Sequence, residues 1–221
     1  AFECVTNALD VGYRHIDSAQ DYGNEVEVGR AIRESTIKRE DIFLTTKVAS
    51  HHKNYKEAKE SIEESLEKLN IDYIDLLLIH CPTPWSEYSN RNKTYFKENL
   101  EVWKAMVEFY KQGKVKAIGV SNFNIEDIKN INENSDVKVM VNQIPLFIGN
   151  TNLSLIKFCQ ENNIIVEAYS PIAHGRALHD ERILKIANKY NVSIPTLCIA
   201  YTLQLGTITL PKASQLDHMK E

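Results

Sequence analysis

The sequence lacks the marks of several common protein classes. Its 8 glycines never form a Gly-x-Gly-x-x-Gly pattern, so the phosphate-binding turn of a doubly wound dinucleotide fold is missing. Its 4 cysteines show no Cys-x-x-Cys spacing, which argues against a metal site and favours a reducing, cytoplasmic setting. No apolar run reaches membrane-spanning length, so we expect no membrane partner. The 26 basic and 30 acidic residues are intermixed, so we expect no nucleic-acid partner.

The chain instead has the composition of a packed globular domain. Hydrophobic residues make up 43% and charged residues 25% of its 221 residues, and no change of composition divides it. Short apolar runs alternate with longer stretches in which apolar residues recur every three or four positions, as expected for strands that alternate with helices. The predicted strands are residues 13–17, 42–47, 74–80, 115–121, 137–143, 164–169 and 207–210.

The intervening stretches predict helices that cover a parallel sheet. Residues 55–70 and 99–112 each place apolar side chains on one face, and Asp180 and Ser193 are placed to cap two later helices. The strand at 74–80 is almost continuously apolar, which is typical of buried parallel strands. We therefore predict an α/β fold, a (β/α)8 TIM barrel. A complete barrel has about 250 residues, so we expect this single domain, residues 1–221, to be truncated at both ends.

Polar residues stand where the predicted strands end, which is where barrels of this kind build their active sites. Asp17, Lys47 and His80 end three successive strands, and Tyr22 follows Asp17 in a loop. Taken singly, each has an ordinary structural explanation, as a helix cap, a surface lysine, a buried histidine and a loop tyrosine. Together they predict a tyrosine whose pKa is lowered by a neighbouring Lys-Asp pair and which protonates a carbonyl oxygen while hydride reaches the carbon.

Seven short motifs in order extend this interpretation. With them the sequence resembles the aldo-keto reductases over essentially its whole length. Short loops and the segment Ser-Pro-Ile-Ala-His-Gly-Arg-Ala-Leu (170–178) look most like the bacterial members similar to the diketogluconate and methylglyoxal reductases. The motifs are Gly-Tyr-Arg-His-Ile-Asp-Ser-Ala (12–19), Tyr-Gly-Asn-Glu (22–25), Leu-Ile-His-Cys-Pro (78–82), Ile-Gly-Val-Ser-Asn-Phe (118–123), Val-Asn-Gln-Ile (141–144), Glu-Ala-Tyr-Ser-Pro (167–171) and Leu-Pro-Lys-Ala-Ser (210–214).

The resemblance implies a monomeric enzyme that reduces a small-molecule carbonyl compound with NADPH, NADH being the alternative cofactor. It implies that Tyr22 is the acid and base, that His80 orients the carbonyl, and that Asp17 and Lys47 complete the catalytic set. It also implies an N-terminal strand and a C-terminal loop outside residues 1–221. The cofactor-binding residues that it implies are Asp17, Ser121, Asn122, Gln143, Tyr169, Ser170 and Lys212.

The sequence departs from the family pattern near the expected substrate and phosphate sites. Cys81 follows His80 where many members carry an aromatic residue, so one wall of the substrate pocket should be smaller, and Trp85 is the candidate to replace it. His218 stands where members often carry an arginine for the NADPH phosphate, so a preference for NADPH would rest mainly on Lys212.

Two alternatives remain at this stage. Lys47 could act as a Schiff-base nucleophile, as in barrel aldolases. The protein could also be a catalytically weak, nicotinamide-binding regulatory protein on the same barrel.

Overall fold

The structure, a computed structural model, describes residues 1–89 and 93–220. The chain forms two compact parts, Ala1–Met140 with Ser214–Lys220, and Val141–Ala213. The expectation of a single domain over residues 1–221 stays a prediction. None of the helices in the described residues has the length and apolar character that a membrane span requires.

Helices and strands alternate along the chain, as the sequence predicts. Short 3-10 turns at Gln20–Tyr22, Arg39–Asp41, Trp85–Glu87 and Ala173–His179 join some of them. The elements are α1 (Phe2–Asp10), β1 (His15–Asp17), α2 (Glu25–Glu34), β2 (Phe43–Val48), α3 (Tyr55–Leu69), β3 (Ile74–Ile79), α4 (Phe96–Lys111), β4 (Val115–Ser121), α5 (Ile125–Asn134), β5 (Val141–Pro145), α6 (Leu153–Glu161), β6 (Ile165–Tyr169), α7 (Glu181–Tyr190), α8 (Ile194–Gln204), β7 (Ile208–Leu210) and α9 (Leu216–Lys220).

The strands within each part run parallel. In the first part β1 pairs with β2, β2 with β3 and β3 with β4. In the second part β5 pairs with β6 and β6 with β7. The prediction of parallel pairing is therefore confirmed in both parts. Because parallel strands point the same way, their carboxyl ends lie along one edge of each group.

The burial of strand β3 explains why its sequence is almost purely apolar. Leu76, Leu77 and Leu78 are at most 1% exposed, so both faces of this strand are covered. Burying one leucine side chain stabilises the folded state by roughly 2 kcal/mol. Asp75, the one polar residue of β3, accepts hydrogen bonds from Arg39 and from the backbone of Leu44. The polar residue therefore joins β3 to its neighbour β2.

Side-chain caps define several helix starts. Asp180 accepts a hydrogen bond from the backbone of Arg182 at the start of α7, and Ser193 accepts one from Thr196 at the start of α8. Both caps are confirmed as the sequence predicts. Asn124 and Asp127 form a reciprocal capping box on α5.

The strand β5 shows the largest difference between a predicted and an observed strand start. The apolar alternation places its start at residue 137, whereas β5 begins at Val141. The carbonyl of Val137 accepts a hydrogen bond from the indole of Trp103, 3.1 Å away, and the amide of Val139 donates to the side chain of Asn132, 2.8 Å away. These bonds tie the preceding segment to α4 and α5. The first residues of the apolar pattern that starts at residue 137 therefore lie in the connection between α5 and β5.

The helices α2 and α3 approach closely at Gly29. A Cβ atom added there would lie 2.1 Å from the carbonyl oxygen of Leu69. The neighbouring atom belongs to the backbone and cannot move aside by a rotamer change. Gly29 therefore permits the contact between these two helices.

We expect Gly29→Ala to lower the free energy of unfolding by about 3 kcal/mol, because the added methyl group overlaps the backbone of Leu69. Gly113→Ala is the matched control, since Gly113 has a φ of 74° and nothing lies within 4 Å of its added Cβ. The control should cost about 1 kcal/mol, from the left-handed backbone alone. Urea unfolding of both variants measures the difference, and equal costs would contradict the packing argument.

Candidate active site

The predicted catalytic residues lie at or next to the carboxyl ends of three adjacent strands. Asp17 is the last residue of β1, Lys47 is the penultimate residue of β2, and His80 directly follows β3. Tyr22 ends the 3-10 turn that follows β1. Because these strands are neighbours in one parallel group, their ends bring the side chains together.

The side chains of β2 alternate between its two faces, which accounts for the order of two threonines and a lysine in its sequence. Successive side chains of a strand point to opposite faces, so Thr45 and Lys47 share one face and Thr46 occupies the other. Thr46 donates a 2.6 Å hydrogen bond to the buried carboxylate of Glu25 in α2. Thr45 lies 3.0 Å from the ring of His15. Both threonines are thus held by polar partners inside the fold.

Lys47 and Asp17 form an ion pair in the interior. The lysine side chain is fully buried, and its Nζ donates to Asp17 Oδ2 at 2.7 Å and to the carbonyl of Ser18 at 2.8 Å. A buried ammonium group is strongly unfavourable without such partners. Asp17 and Ser18 therefore hold Lys47 as a charged group.

Tyr22 lies against both Lys47 and His80. The Nζ of Lys47 is 5.1 Å from the centroid of the Tyr22 ring. The rings of Tyr22 and His80 meet edge to face, with centroids 5.6 Å apart. The structure thus brings the four predicted residues into one cluster.

The predicted direction of the Tyr22 pKa is wrong. The pKa of Tyr22 is raised to about 12, first by its removal from water and then by the negative charges of Asp17 and Asp21. The ring is still 51% exposed, so its removal from water is partial. The positive charge of Lys47 does not lower this pKa, because Asp17 offsets that charge at 2.7 Å. Tyr22 therefore keeps its proton at neutral pH.

His80 is neutral at the same pH. Its pKa is lowered to about 4, first by burial and then by the charge of Lys47, while Asp21 and Asp17 oppose this shift. The ring of Trp85 packs edge-on against it, with centroids 5.3 Å apart. The environment thus pushes the pKa values of Tyr22 and His80 in opposite directions.

Asp21 is a residue of this cluster that the sequence analysis missed. Its Oδ2 lies 3.0 Å from His80 Nδ1 and accepts a 3.2 Å hydrogen bond from Trp85 Nε1. A signal was available, since Asp21 precedes Tyr22 directly and shares its short turn. The motif that carried the resemblance began at Tyr22 and left Asp21 out.

Lys53 anchors the segment after His80 through hydrogen bonds. Its Nζ donates to the carbonyls of Cys81 and Pro82 and to the side chain of Asn99, at 2.9 to 3.1 Å. Cys81 is fully buried. Trp85, the predicted replacement for an aromatic at that position, lies against His80 and is 43% exposed. The aromatic surface beside His80 is therefore supplied from four residues beyond Cys81.

Two of the predicted cofactor-binding residues end β4 in the first part. Ser121 is buried, and Asn122 follows it with a left-handed φ of 64°. The amide of Asn122 donates to the carbonyl of His80 and to the hydroxyl of Ser121, each at 3.0 Å. A non-glycine residue in this backbone region is uncommon and is enriched at functional sites.

The second part holds the remaining predicted residues within its strands or shortly after them. Gln143 in β5 donates a 2.8 Å hydrogen bond to the buried carboxylate of Glu167 in β6. Tyr169 ends β6, and Ser170 follows with a left-handed φ of 54°. Lys212 follows β7 and is exposed to solvent. Gln143 is thus oriented by a partner that the sequence analysis did not single out.

His218, which replaces the expected arginine, lies in α9 and is exposed. Across residues 1–89 and 93–220, no group of three His, Cys, Asp or Glu side chains could hold a metal ion.

Comparison with known proteins identifies the family of this chain. The sequence model of the aldo/keto reductase family matches residues 1–221. This chain belongs to that family. Glyoxal reductase of Bacillus subtilis is 38% identical over 213 residues, which cover 96% of this chain and 73% of that protein. Glycerol 2-dehydrogenase (NADP(+)) of Hypocrea jecorina is 39% identical over 238 residues, 96% of this chain and 75% of that protein.

A solved structure supports the same assignment. The aldo-keto reductase MGS-M4 from a Medee basin deep-sea metagenome library aligns with a TM-score of 0.90 and 38% identity, over 99% of this chain and 78% of that one. The fold class of this aldo/keto reductase is the (β/α)8 barrel that the sequence predicts. Its enzyme class, an NAD(P)H-dependent oxidoreductase, is the predicted one as well.

We expect the two members of the buried ion pair to differ in the cost of their removal. Asp17→Ala should lower the free energy of unfolding by about 3 kcal/mol, because it leaves the ammonium group of Lys47 buried without its counter-ion. Lys47→Met keeps a similar volume and leaves a partly exposed carboxylate, so it should cost about 1 kcal/mol. Urea unfolding measures both. Lys56→Met, which removes an exposed partner of Glu60, is the matched control and should change little.

We also expect Tyr22 to ionise late. At a pH of about 10, where an ordinary tyrosine is half ionised, the tyrosinate absorbance of the wild type and of Tyr22→Phe should be nearly equal. The difference should grow only as the pH approaches the raised pKa, about 12. N-acetyltyrosinamide titrated in parallel provides the reference. A difference that is complete near the reference midpoint would show that burial and the two carboxylates do not act as described.

Proposed function

We propose that this aldo/keto reductase reduces an aldehyde or ketone, a small dicarbonyl or sugar-derived compound, to the alcohol with NADPH, and that Tyr22 donates the proton. The observation that carries the proposal is the contact of Tyr22 with both Lys47 and His80 at adjacent strand ends. A protonated phenol beside a neutral imidazole supplies an acid for an oxygen atom that gains negative charge.

The residues present fit a nicotinamide dinucleotide by the chemistry of their side chains. Hydroxyl and amide groups such as Ser121, Asn122 and Gln143 match the donors and acceptors of a carboxamide, and Tyr169 offers an aromatic face. Ser170 and Lys212 suit phosphate oxygens, and Asp17 completes the proposed set. When bound, the cofactor supplies the hydride. The name of the matched glycerol 2-dehydrogenase, which specifies NADP(+), supports the choice of NADPH.

Each residue of the cluster then has a distinct task. Tyr22 carries its proton at neutral pH and transfers it to the carbonyl oxygen. Lys47 lies 5.1 Å from the Tyr22 ring, and its ammonium group opposes the effect of Asp17 and Asp21 on the phenolate that this transfer leaves. The ring of His80 lies against Tyr22, the ring of Trp85 lies against His80, and both orient the substrate beside them. In the reverse direction the phenolate takes the proton of an alcohol.

The substrate class rests on two further considerations. The matched relatives include a glyoxal reductase and a glycerol 2-dehydrogenase, whose names denote a small dicarbonyl and a small polyol. Polar groups at the cluster, among them Asp21 and the indole of Trp85, suit a small hydroxylated or dicarbonyl molecule better than a purely apolar one.

The structure disfavours Lys47 as a Schiff-base nucleophile. Such a lysine must be accessible and must lose its proton, whereas Lys47 is fully buried and donates to Asp17 and Ser18. Borohydride trapping with a carbonyl compound should therefore leave Lys47 unmodified. The nicotinamide-binding regulatory protein has no specific observation in its favour and becomes an outcome of the activity test.

We expect the full-length protein to oxidise NADPH in the presence of methylglyoxal or a diketo sugar acid, and Tyr22→Phe to lower kcat by at least about a hundredfold, because the proton donor is gone. Loss of NADPH absorbance measures the rate, and fluorescence titration checks that the variant still binds NADPH. Tyr190→Phe, at an exposed position, is the matched control and should keep full activity.

Three outcomes separate the alternatives. NADPH binding without turnover across a panel of aldehydes would favour the regulatory protein. Undiminished turnover in Tyr22→Phe would exclude Tyr22 as the proton donor. Faster turnover with NADH would revise the choice of cofactor and leave the reaction class unchanged.

A further inference from the structure

The carboxylate of Asp21 joins two rings of the active-site cluster through a single oxygen. Oδ2 of Asp21 is 3.0 Å from Nδ1 of His80 and 3.2 Å from Nε1 of Trp85. The Asp21 side chain is 24% exposed and that of His80 is 8% exposed. Proton donation by Tyr22 and the ion pair of Lys47 with Asp17 do not require an acid at this position.

We propose that Asp21 is a positioning residue that fixes the tautomer of His80, holding the hydrogen of the neutral ring on Nδ1 and leaving Nε2 with a lone pair. The inference concerns the same site as the proposed reductase function, and its catalytic readout rests on that function. The tautomer itself does not, because it is a property of the free protein.

The direction of the Asp21–His80 hydrogen bond follows from the donors available. The indole nitrogen of Trp85 is a donor only, so Oδ2 of Asp21 accepts from it. A carboxylate oxygen accepts from both of its partners, and the hydrogen between Asp21 and His80 therefore belongs to Nδ1. A neutral imidazole carries a single N–H, so Nε2 then has none.

The charged groups around His80 are consistent with a neutral ring. Burial and the ammonium group of Lys47 lower its pKa, whereas the carboxylates of Asp21 and Asp17 raise it. Tyr22, whose ring also meets His80, keeps its own proton at neutral pH. The effects that lower the His80 pKa outweigh those that raise it, so the ring is uncharged at neutral pH. Asp21 then decides which ring nitrogen carries the hydrogen.

This tautomer gives the two rings complementary tasks. Tyr22 has a hydrogen to donate to a carbonyl oxygen, and Nε2 of His80 has a lone pair to receive one. His80 then accepts a hydrogen bond from a hydroxyl group, either that of the alcohol product or one next to the carbonyl of the substrate. The carbonyl oxygen itself accepts its hydrogen bond from Tyr22, so His80 orients the carbonyl through a neighbouring hydroxyl group and not by donating to the carbonyl oxygen, as the family resemblance would suggest.

The tautomer can be tested by nitrogen NMR on the full protein labelled with ¹⁵N-histidine, with the His80 signals assigned from their loss in His80→Gln. In the wild type we expect a protonated Nδ1 and an unprotonated Nε2. In Asp21→Leu the hydrogen should shift partly to Nε2, and the midpoint of His80 protonation should fall because a carboxylate that raises its pKa is gone. Asp21→Asn retains an acceptor oxygen and should restore the wild-type tautomer.

The exposed acid Asp10 provides the matched control, since Asp10→Asn removes the same charge at the end of α1 and should leave the His80 spectrum unchanged. A wild-type spectrum with the hydrogen on Nε2 would overturn the proposal. So would an Asp21→Leu spectrum identical to that of the wild type.

A double-mutant cycle tests whether Asp21 acts through His80. Asp21→Leu should lower kcat/KM about tenfold in the wild-type background and less than about twofold in His80→Gln, because the two residues form one unit. Equal losses in both backgrounds would show that Asp21 acts independently of His80. If the wild type reduces no carbonyl compound, the proposed function fails, and the NMR spectra alone decide the positioning role.

Discussion

The buried ion pair between Lys47 and Asp17 is the interaction on which the active-site cluster depends. An ammonium group with no solvent contact needs a counter-ion and further acceptors, and Asp17 and the Ser18 carbonyl provide them within 2.8 Å. These bonds require the ends of β1 and β2 to lie side by side, as the register of Asp17 opposite Thr45 shows. The turn that follows β1 then carries Asp21 and Tyr22 to the same place.

The same pair determines the electrostatics around it. Because Asp17 offsets the charge of Lys47, the phenol of Tyr22 responds mainly to its removal from water and to two carboxylates, and its pKa rises. His80, packed among aromatic rings, loses affinity for a proton instead. Environments that push the pKa values of neighbouring groups apart are typical of sites that divide acid and acceptor roles between them.

Several structural details support the cluster without entering it. Lys53 holds the carbonyls of Cys81 and Pro82, and Asn122 holds the carbonyl of His80. The segment that carries His80 is therefore anchored on both sides through its backbone. Such anchoring limits the freedom of the imidazole, which matters for a group whose hydrogen must lie on a particular nitrogen.

Much of this protein can be predicted from the sequence because the signals are local. Continuous apolar runs predict buried parallel strands, caps at Asp180 and Ser193 define helix starts, and strand ends identify Asp17, Lys47 and His80. Other features depend on atoms distant in the chain. The start of β5 is displaced by bonds from Trp103 and Asn132, and the role of Gly29 depends on the backbone of Leu69. The pKa direction of Tyr22 and the place of Asp21 were likewise decided only by the tertiary structure, because distances and burial set the balance of charge.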